Sequence, residues 1–332
     1  MVEAGWQGGR RHFFLQAKTP FTCSFYICRM QTLTVALDWT PNINHIGLYV
    51  AQAKGWYHEA GIDVALLNPA DDNYALTPAK KMMLGQADIA MGPSESVISL
   101  NTKPQPVAAR AFYAILQEDL SSIAVLHGSG IQQPAQLDGK IYASYKARYE
   151  DKIVQQMVIN DGGRGALNII YPEKLGIWNT LLTGEAHATW IFDHWEGVEA
   201  SLQGILLHRF RLQDSGIPYG YSPVLFTTQE MLDSHIDILG KFTTATRRGY
   251  LHAQQEPAEA AGIIAPHLTA YDAQHNNMET ALRQYGYAFG TAATAGYMQP
   301  AVVAEFGWWL RQHGLETAAL DFTSLFVNFS KA

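Results

Sequence analysis

The stretch Thr32-Leu33-Thr34-Val35-Ala36-Leu37-Asp38-Trp39-Thr40-Pro41-Asn42 sets the fold. Leu33, Val35 and Leu37 alternate with Thr32, Thr34 and Ala36, the two-residue period of a half-buried strand. Thr40-Pro41-Asn42 turns the chain, and 44–54 carries helical spacing up to Gly55, a residue suited to the end of a helix. A second strand spans 62–67, between Gly61 and Pro69. The same beat continues through a helix at 77–85, a strand at 87–91, a helix from about residue 94 and a strand at 107–113. Strands alternating with helices across short loops predict a mostly parallel sheet with helices on both faces.

The rhythm restarts after residue 120. Strands are expected at 122–126, 140–143, 167–171, 188–192 and 223–227, with helices at 148–160 and 173–184. Beyond residue 228 the spacing is helical over 229–254, 256–266, 276–286 and 298–313. Neither an internal repeat nor a long linker divides the halves. Two similar α/β units joined by crossing strands are therefore expected, with a ligand in the crevice where both sheets present their strand C-termini.

Composition narrows the function. A chain of 332 residues suggests about two domains, and 48% hydrophobic with 16% charged residues is ordinary globular composition. No apolar run approaches the ~20 residues needed to span a bilayer. The chain carries 23 Lys and Arg against 30 Asp and Glu, a net charge of -7. Arg10, Arg11, Lys18 and Arg29 against Glu3 make the first thirty residues locally +3, which leaves 19 basic against 29 acidic residues, or -10, over 31–332. So acidic a body lacks the basic face that replaces phosphate counterions, which argues against nucleic acid as a partner. Cys23 and Cys28 are the chain's two cysteines. The body therefore has no disulfide framework, no Cys-ligated zinc or iron–sulfur cluster and no thiol nucleophile.

Residues 1–30 read differently from the rest. Arg10-Arg11 before Phe13-Phe14-Leu15 echoes a signal peptide, but Gln16, Lys18 and Pro20 interrupt the apolar stretch, and Met30 stands just before the clean strand. An upstream extension, an export signal and an N-terminal arm all stay open. The location stays open with them: periplasmic or cell-surface if exported, cytoplasmic otherwise.

Several motifs fall at strand ends. Asp38-Trp39-Thr40-Pro41-Asn42 follows the first strand, so Asp38, Trp39 and Asn42 either bind a ligand or serve as core and turn residues. His45 either donates to a ligand or simply starts a helix. Gly92-Pro93-Ser94-Glu95-Ser96 joins a strand to a helix, with Ser94 suited to cap it and its free N–H groups suited to an anion; Glu95 there also fits the helix dipole without any ligand. Tyr142-Ala143-Ser144-Tyr145 and Arg148-Tyr149-Glu150 form another such corner, with Ser144 and Glu150 as candidates. Trp190-Ile191-Phe192-Asp193-His194-Trp195-Glu196-Gly197 is the densest aromatic–polar cluster. Trp190 and Trp195 suit stacking on a planar heterocycle, and Glu196 suits accepting from ring amino groups. Tyr219-Gly220-Tyr221-Ser222-Pro223 fits a hinge-side cleft wall or a turn with core tyrosines. No Gly-x-Ser-x-Gly elbow, dinucleotide fingerprint or His-Glu-x-x-His occurs, so no catalytic residue, metal ligand or cofactor is expected.

Leu37 to Asn42, His45, Gly47, Tyr49-Val50-Ala51 and Lys54-Gly55-Trp56-Tyr57 resemble the opening of the thiamine-pyrimidine family. That family includes bacterial solute-binding proteins for thiamine precursors and the fungal thiamine pyrimidine synthase. Gly85 to Ala90, Gly92 to Ser96, Asp161-Gly162-Gly163, Trp195-Glu196-Gly197 and Tyr219 to Leu225 extend the resemblance over roughly residues 32–290. It implies a two-lobed periplasmic-binding-protein-like fold of type II, lobe 1 from 31–118 plus 228–332 and lobe 2 from 119–227. It further implies a pyrimidine of the formylaminopyrimidine or hydroxymethylpyrimidine type, held by Trp39, Asn42, Tyr219, Tyr221 and Glu196 and handed to an ABC permease. The synthase branch implies pyridoxal phosphate on a lysine, with a histidine and iron. The corresponding positions here look like Gly92 and Ser96, and Pro218 to Ser222 stands where that branch has cysteines. A Schiff base needs an amine that Gly92 lacks.

Overall fold

The computed structural model describes residues 30–173 and 175–329. Cys23, Cys28 and the N-terminal extension or leader lie outside the described residues. Among these residues ten strands form two five-stranded sheets.

The first sheet holds β1 (Gln31–Ala36), β2 (Ile62–Leu67), β3 (Ile89–Gly92) and β4 (Ala109–Ala114). The second holds β5 (Ser121–Leu126), β6 (Ile141–Ala143), β7 (Asn168–Ile170), β8 (Ala188–Phe192) and β9 (Leu207–Arg211). β10 (Val224–Thr228) then returns to the first sheet, between β3 and β4. The strand orders are β2-β1-β3-β10-β4 and β7-β6-β8-β5-β9. β1 pairs parallel with β2 and β3, and β6 pairs parallel with β7 and β8. β10 and β5 run antiparallel to both neighbours. Each sheet is thus parallel apart from one reversed strand, which stands next to an edge strand. The lobe division expected at residue 227 moves back accordingly, because all of β10 pairs in the first sheet.

Helices cover the faces. α1 (Ile46–Ala53), α2 (Trp56–Glu59), α3 (Pro78–Met83) and α4 (Ser94–Thr102) belong to the first lobe. α5 (Glu150–Asn160), α6 (Asn179–Thr183) and α7 (Glu196–Leu202) belong to the second. α8 (Gln229–Gln255), kinked at His235, α9 (Pro257–Ile264), α10 (Ala270–His275), α11 (Met278–Tyr285) and α12 (Pro300–Gln312) complete the chain. α1 packs tightly on α8 because two glycines meet there: a Cβ on Gly249 would sit 1.9 Å from the Gly47 carbonyl oxygen. Leu33, Val35, Ile46, Val50, Phe242 and Tyr250 close the core between β1, α1 and α8.

Three expectations shift. The helix at 173–184 shortens to α6, since Gly176 takes φ +69, outside the helical region. β9 was not expected, and Phe210 is its one buried residue, so its sequence carries little apolar alternation. α7 was hidden behind the aromatic run that precedes it.

Candidate functional site

Four parallel strands end at one cleft. The loops after β1 and β3 face those after β6 and β8, and the crossing segment 219–223 closes one side. The cavity is about 200 Å³; for comparison, a cavity of about 150 Å³ takes a benzene ring.

The β1 loop is fixed by its own polar groups. Asn42 caps the short 3-10 turn Ile43–His45, its side chain accepting from the Asn44 N–H at 2.8 Å. His45 Nδ1 accepts the Asn42 N–H at 3.1 Å, and His45 Nε2 donates to Asp38 Oδ1 at 2.9 Å. Asp38, Trp39, Asn42 and Asn44 line the cleft, whereas His45 is fully buried behind them with both ring nitrogens engaged. The direct ligand contact expected of His45 is therefore corrected to a positioning role for Asp38 and Asn42. Trp39 meets Tyr145 of the other lobe edge-on, with centroids 6.2 Å apart, and lies 6.3 Å from Tyr74.

The β3 loop contributes Pro93 and Glu95. Pro93, not Ser94, is the N-cap of α4, and Ser94 Oγ is buried without a hydrogen-bond partner. Ser94 does not line the cleft, so its expected capping and ligand roles are both corrected. Tyr219 Oη donates to Glu95 Oε1 at 2.6 Å. Burial pushes the Glu95 carboxyl up, helped by the charge of Glu150 and opposed chiefly by the Tyr219 hydrogen bond.

The second lobe supplies Tyr145, Glu150, Trp190, Phe192, Trp195 and Glu196. Trp190 and Tyr219 pack edge to face, 5.3 Å apart. Glu196 opens α7 and accepts the Phe192 N–H at 2.9 Å, and burial raises its pKa to about 7. Ser144 faces away: its Oγ donates to Asp151 at 2.6 Å and accepts the Lys146 N–H, so it closes the loop. Tyr221 is buried outside the cleft, its hydroxyl accepting the Gln299 N–H at 2.9 Å. Both were expected in the site; the aromatic content of the hinge wall comes from Tyr219 alone. Asn44, Tyr145 and Phe192 were missed as site residues, though Tyr145 and Phe192 stand inside motifs noted in the sequence.

The lobes also bond to each other. His194 Nε2 donates to Asn44 Oδ1 at 2.7 Å, and burial lowers the His194 pKa to about 3, which keeps the ring neutral. Tyr271 Oη donates to Glu199 at 2.6 Å, and Glu316 Oε2 accepts from Arg148 and from Tyr149 Oη, both at 2.8 Å.

Among the described residues lining the cleft, four are carboxylic acids (Asp38, Glu95, Glu150 and Glu196) and none is Lys or Arg. Nor do any described residues gather three or more His, Cys, Asp or Glu side chains fit to hold a metal ion. Gly92 does not line the cleft, and a Cβ built on it would point at Ser96 Oγ, 3.4 Å away, and the Phe226 ring. The residues present do not fit a lysine-bound pyridoxal phosphate.

Two lobes around an aromatic, acid-lined cleft define a periplasmic-binding-protein fold. The periplasmic nitrate-binding protein NrtA of Synechocystis superposes with a TM-score of 0.67 over 89% of this chain and 84% of that one, at 11% identity. The chain belongs to the NMT1/THI5-like family, whose model matches residues 42–260. Among curated relatives, the formylaminopyrimidine-binding protein of Halalkalibacterium halodurans is 24% identical over 238 residues, covering 71% of this chain and 70% of that protein. A 4-amino-5-hydroxymethyl-2-methylpyrimidine phosphate synthase of Saccharomyces cerevisiae is 29% identical over 109 residues, covering 32% of this chain and 31% of that enzyme.

Proposed function

We propose that this protein is a solute-binding protein for a thiamine-related aminopyrimidine, feeding thiamine synthesis or salvage through an ABC importer. The observation that carries the reading is the cleft lining: aromatic walls and four carboxylic acids, with no cationic side chain among the described lining residues. A nitrate, sulfonate or phosphate needs donors and positive charge. A flat ring with amino groups needs π-faces and acceptors, which this lining supplies. The relative named as a formylaminopyrimidine-binding protein supports the same class.

The mechanism is closure on the ring. Asp38 and Asn42, stiffened by His45, offer polar contacts from the first lobe. Trp190, Trp195 and Tyr145 offer ring faces and edges from the second. Glu196, protonated below about pH 7, can donate its proton to a ring nitrogen while its carbonyl oxygen accepts from the neighbouring amino group. Contacts made to both lobes favour the closed state over the open one. The synthase reading asks for a lysine in the cleft, and the lining offers none.

A thermal-shift titration tests the reading. Hydroxymethylpyrimidine and formylaminopyrimidine should each stabilise the protein saturably, by about 2.7 kcal/mol at 100 times Kd. Stabilisation by an alkanesulfonate or nitrate, with none from either pyrimidine, would overturn it.

A further inference from the structure

Glu95 stands on α4 of the first lobe and Glu150 opens α5 of the second, and both line the cleft. They are 4% and 3% exposed, so both are strongly desolvated where they border the cavity. Glu150 is held rigidly: it accepts from Tyr142 Oη at 2.8 Å, the Tyr145 N–H at 3.0 Å and the Ala147 N–H at 3.1 Å. Glu95 accepts from Tyr219. Every one of these donors is neutral.

The cation that bears on Glu95 is Arg148, and it is committed elsewhere. Its Nη2 pairs with Glu316 at 2.8 Å and its Nη1 donates to Ser99 and Thr102. Arg148 does not line the cleft. Two buried carboxyls from opposite lobes therefore line one cavity, near enough for the charge of Glu150 to act on Glu95, and no Lys or Arg stands among the described lining residues. Burial pushes both carboxyls up, and a neighbouring carboxylate adds to it in each case, Glu150 for Glu95 and Asp151 for Glu150. Something carrying hydrogen or positive charge between them would relieve the penalty on their charged forms. An anion there would add a third like charge and raise it.

We infer that Glu95 and Glu150 read the side arm of the bound ring, selecting an arm that is a hydrogen-bond donor or a primary alkylammonium and refusing phosphate, sulfonate and carboxylate arms. The inference rests on the reading that an aminopyrimidine ring occupies the aromatic part of the same cleft. It adds a rule for the substituent: the unphosphorylated, amine-bearing ligand is preferred, and a phosphate ester of the same ring is excluded. The two glutamates then act as specificity residues, and the ring is recognised by the aromatic side chains and Glu196.

Isothermal titration of the full chain at pH 7.5 tests this with three ligands that share one 4-amino-2-methylpyrimidine ring. They carry a 5-aminomethyl arm, a 5-hydroxymethyl arm and the phosphate ester of the latter. The aminomethyl ligand should bind at least tenfold tighter than the hydroxymethyl ligand, and the phosphate ester at least 100-fold weaker. Glu150→Gln and Glu95→Gln should each shrink the ratio of aminomethyl to hydroxymethyl affinity severalfold, with the larger loss on the aminomethyl ligand. Near-equal affinity for all three ligands would overturn the side-arm rule and leave the ring reading standing. Failure of all three to bind would overturn the ring reading, and the side-arm rule with it. A preference that survives in both glutamine variants would also remove the assignment. The wild-type ligand series needs no variant, so it decides even if a variant fails to fold.

Discussion

The two sheets share one plan and contribute different chemistry. Each has the same strand order, with a reversed strand next to an edge, and each offers the loops after two parallel strands to the cleft. The first lobe brings a hydrogen-bonded frame in which Asn42, His45 and Asp38 lock one another. The second brings most of the aromatic surface, plus Glu196 poised to exchange a proton near neutrality. The difference teaches that the cleft lining is assembled from both lobes. On the proposed function, polar positioning and ring capture are divided between them, which would couple affinity to closure.

The largest expected effect falls on the second lobe. Glu196→Ala should weaken binding of a hydroxymethylpyrimidine roughly 5- to 150-fold, the cost of leaving buried polar groups unpaired, whereas Glu196→Gln keeps one donor and one acceptor and should bind within a few-fold of the wild type below about pH 7. The wild type should also show a pH signature. Below about pH 7 Glu196 carries the proton that the complex uses. Above it that proton must be recovered from solvent, so the apparent Kd should rise toward tenfold per pH unit. In the glutamine variant the profile should be flat over the same range. Stability should follow the same group: the native state keeps a proton that the unfolded chain releases above its ordinary carboxyl pKa of about 4.3. Wild-type stability should therefore fall relative to Glu196→Gln as pH rises from about 4.5 to 7 in urea melts. Parallel curves for the two proteins would break this assignment.

A smaller effect is expected on the aromatic contact that the lobes share. Trp39→Ala removes the ring that meets Tyr145 across the cleft. At about 0.5–1.5 kcal/mol per aromatic pair, affinity should fall roughly 2- to 13-fold. Because Trp39 is half-buried, Tm should move little. A large loss of Tm with unchanged affinity would make Trp39 a core residue instead. The smallest effect should come from Asn44→Ala, which removes the acceptor of His194. That bond is worth about 1 kcal/mol. The variant should shift the unliganded protein toward the open form, with a larger radius of gyration by small-angle scattering and a weakening of about fivefold or less. An unchanged radius would show that the other interlobe bonds hold the closed form alone.

Much of the fold was legible because it depends on local periodicity. Leu33, Val35 and Leu37 announce β1, and the β–α alternation follows from residues adjacent in the chain. Strand-end loops were legible for the same reason, since Trp39, Asn42, Trp190 and Glu196 sit at strand ends that periodicity locates. What escaped depends on partners distant in sequence. β9 is recognisable only by its pairing with β5. β10 belongs to the first sheet because Gly92 and Ala114 flank Val224. His45 reads as a ligand contact until Asp38 and the Asn42 N–H are found on its two nitrogens. Ser94 reads as a cap until Pro93 takes that place and leaves its hydroxyl buried. Tyr221 differs from Tyr219 by two positions, and only the tertiary fold decides which of them faces the cleft.

The return of β10 to the first sheet bears on how the chain is born. β5 to β9 are contiguous, so the second sheet can assemble as soon as residue 211 has left the ribosome. The first sheet cannot: β3 and β4 are separated by a slot that only Val224–Thr228 fills. For the whole time the middle of the polypeptide is being made, that gap leaves two strand edges unsatisfied, the kind of surface that invites aggregation. The lobe whose synthesis starts first is thus the last to be finished.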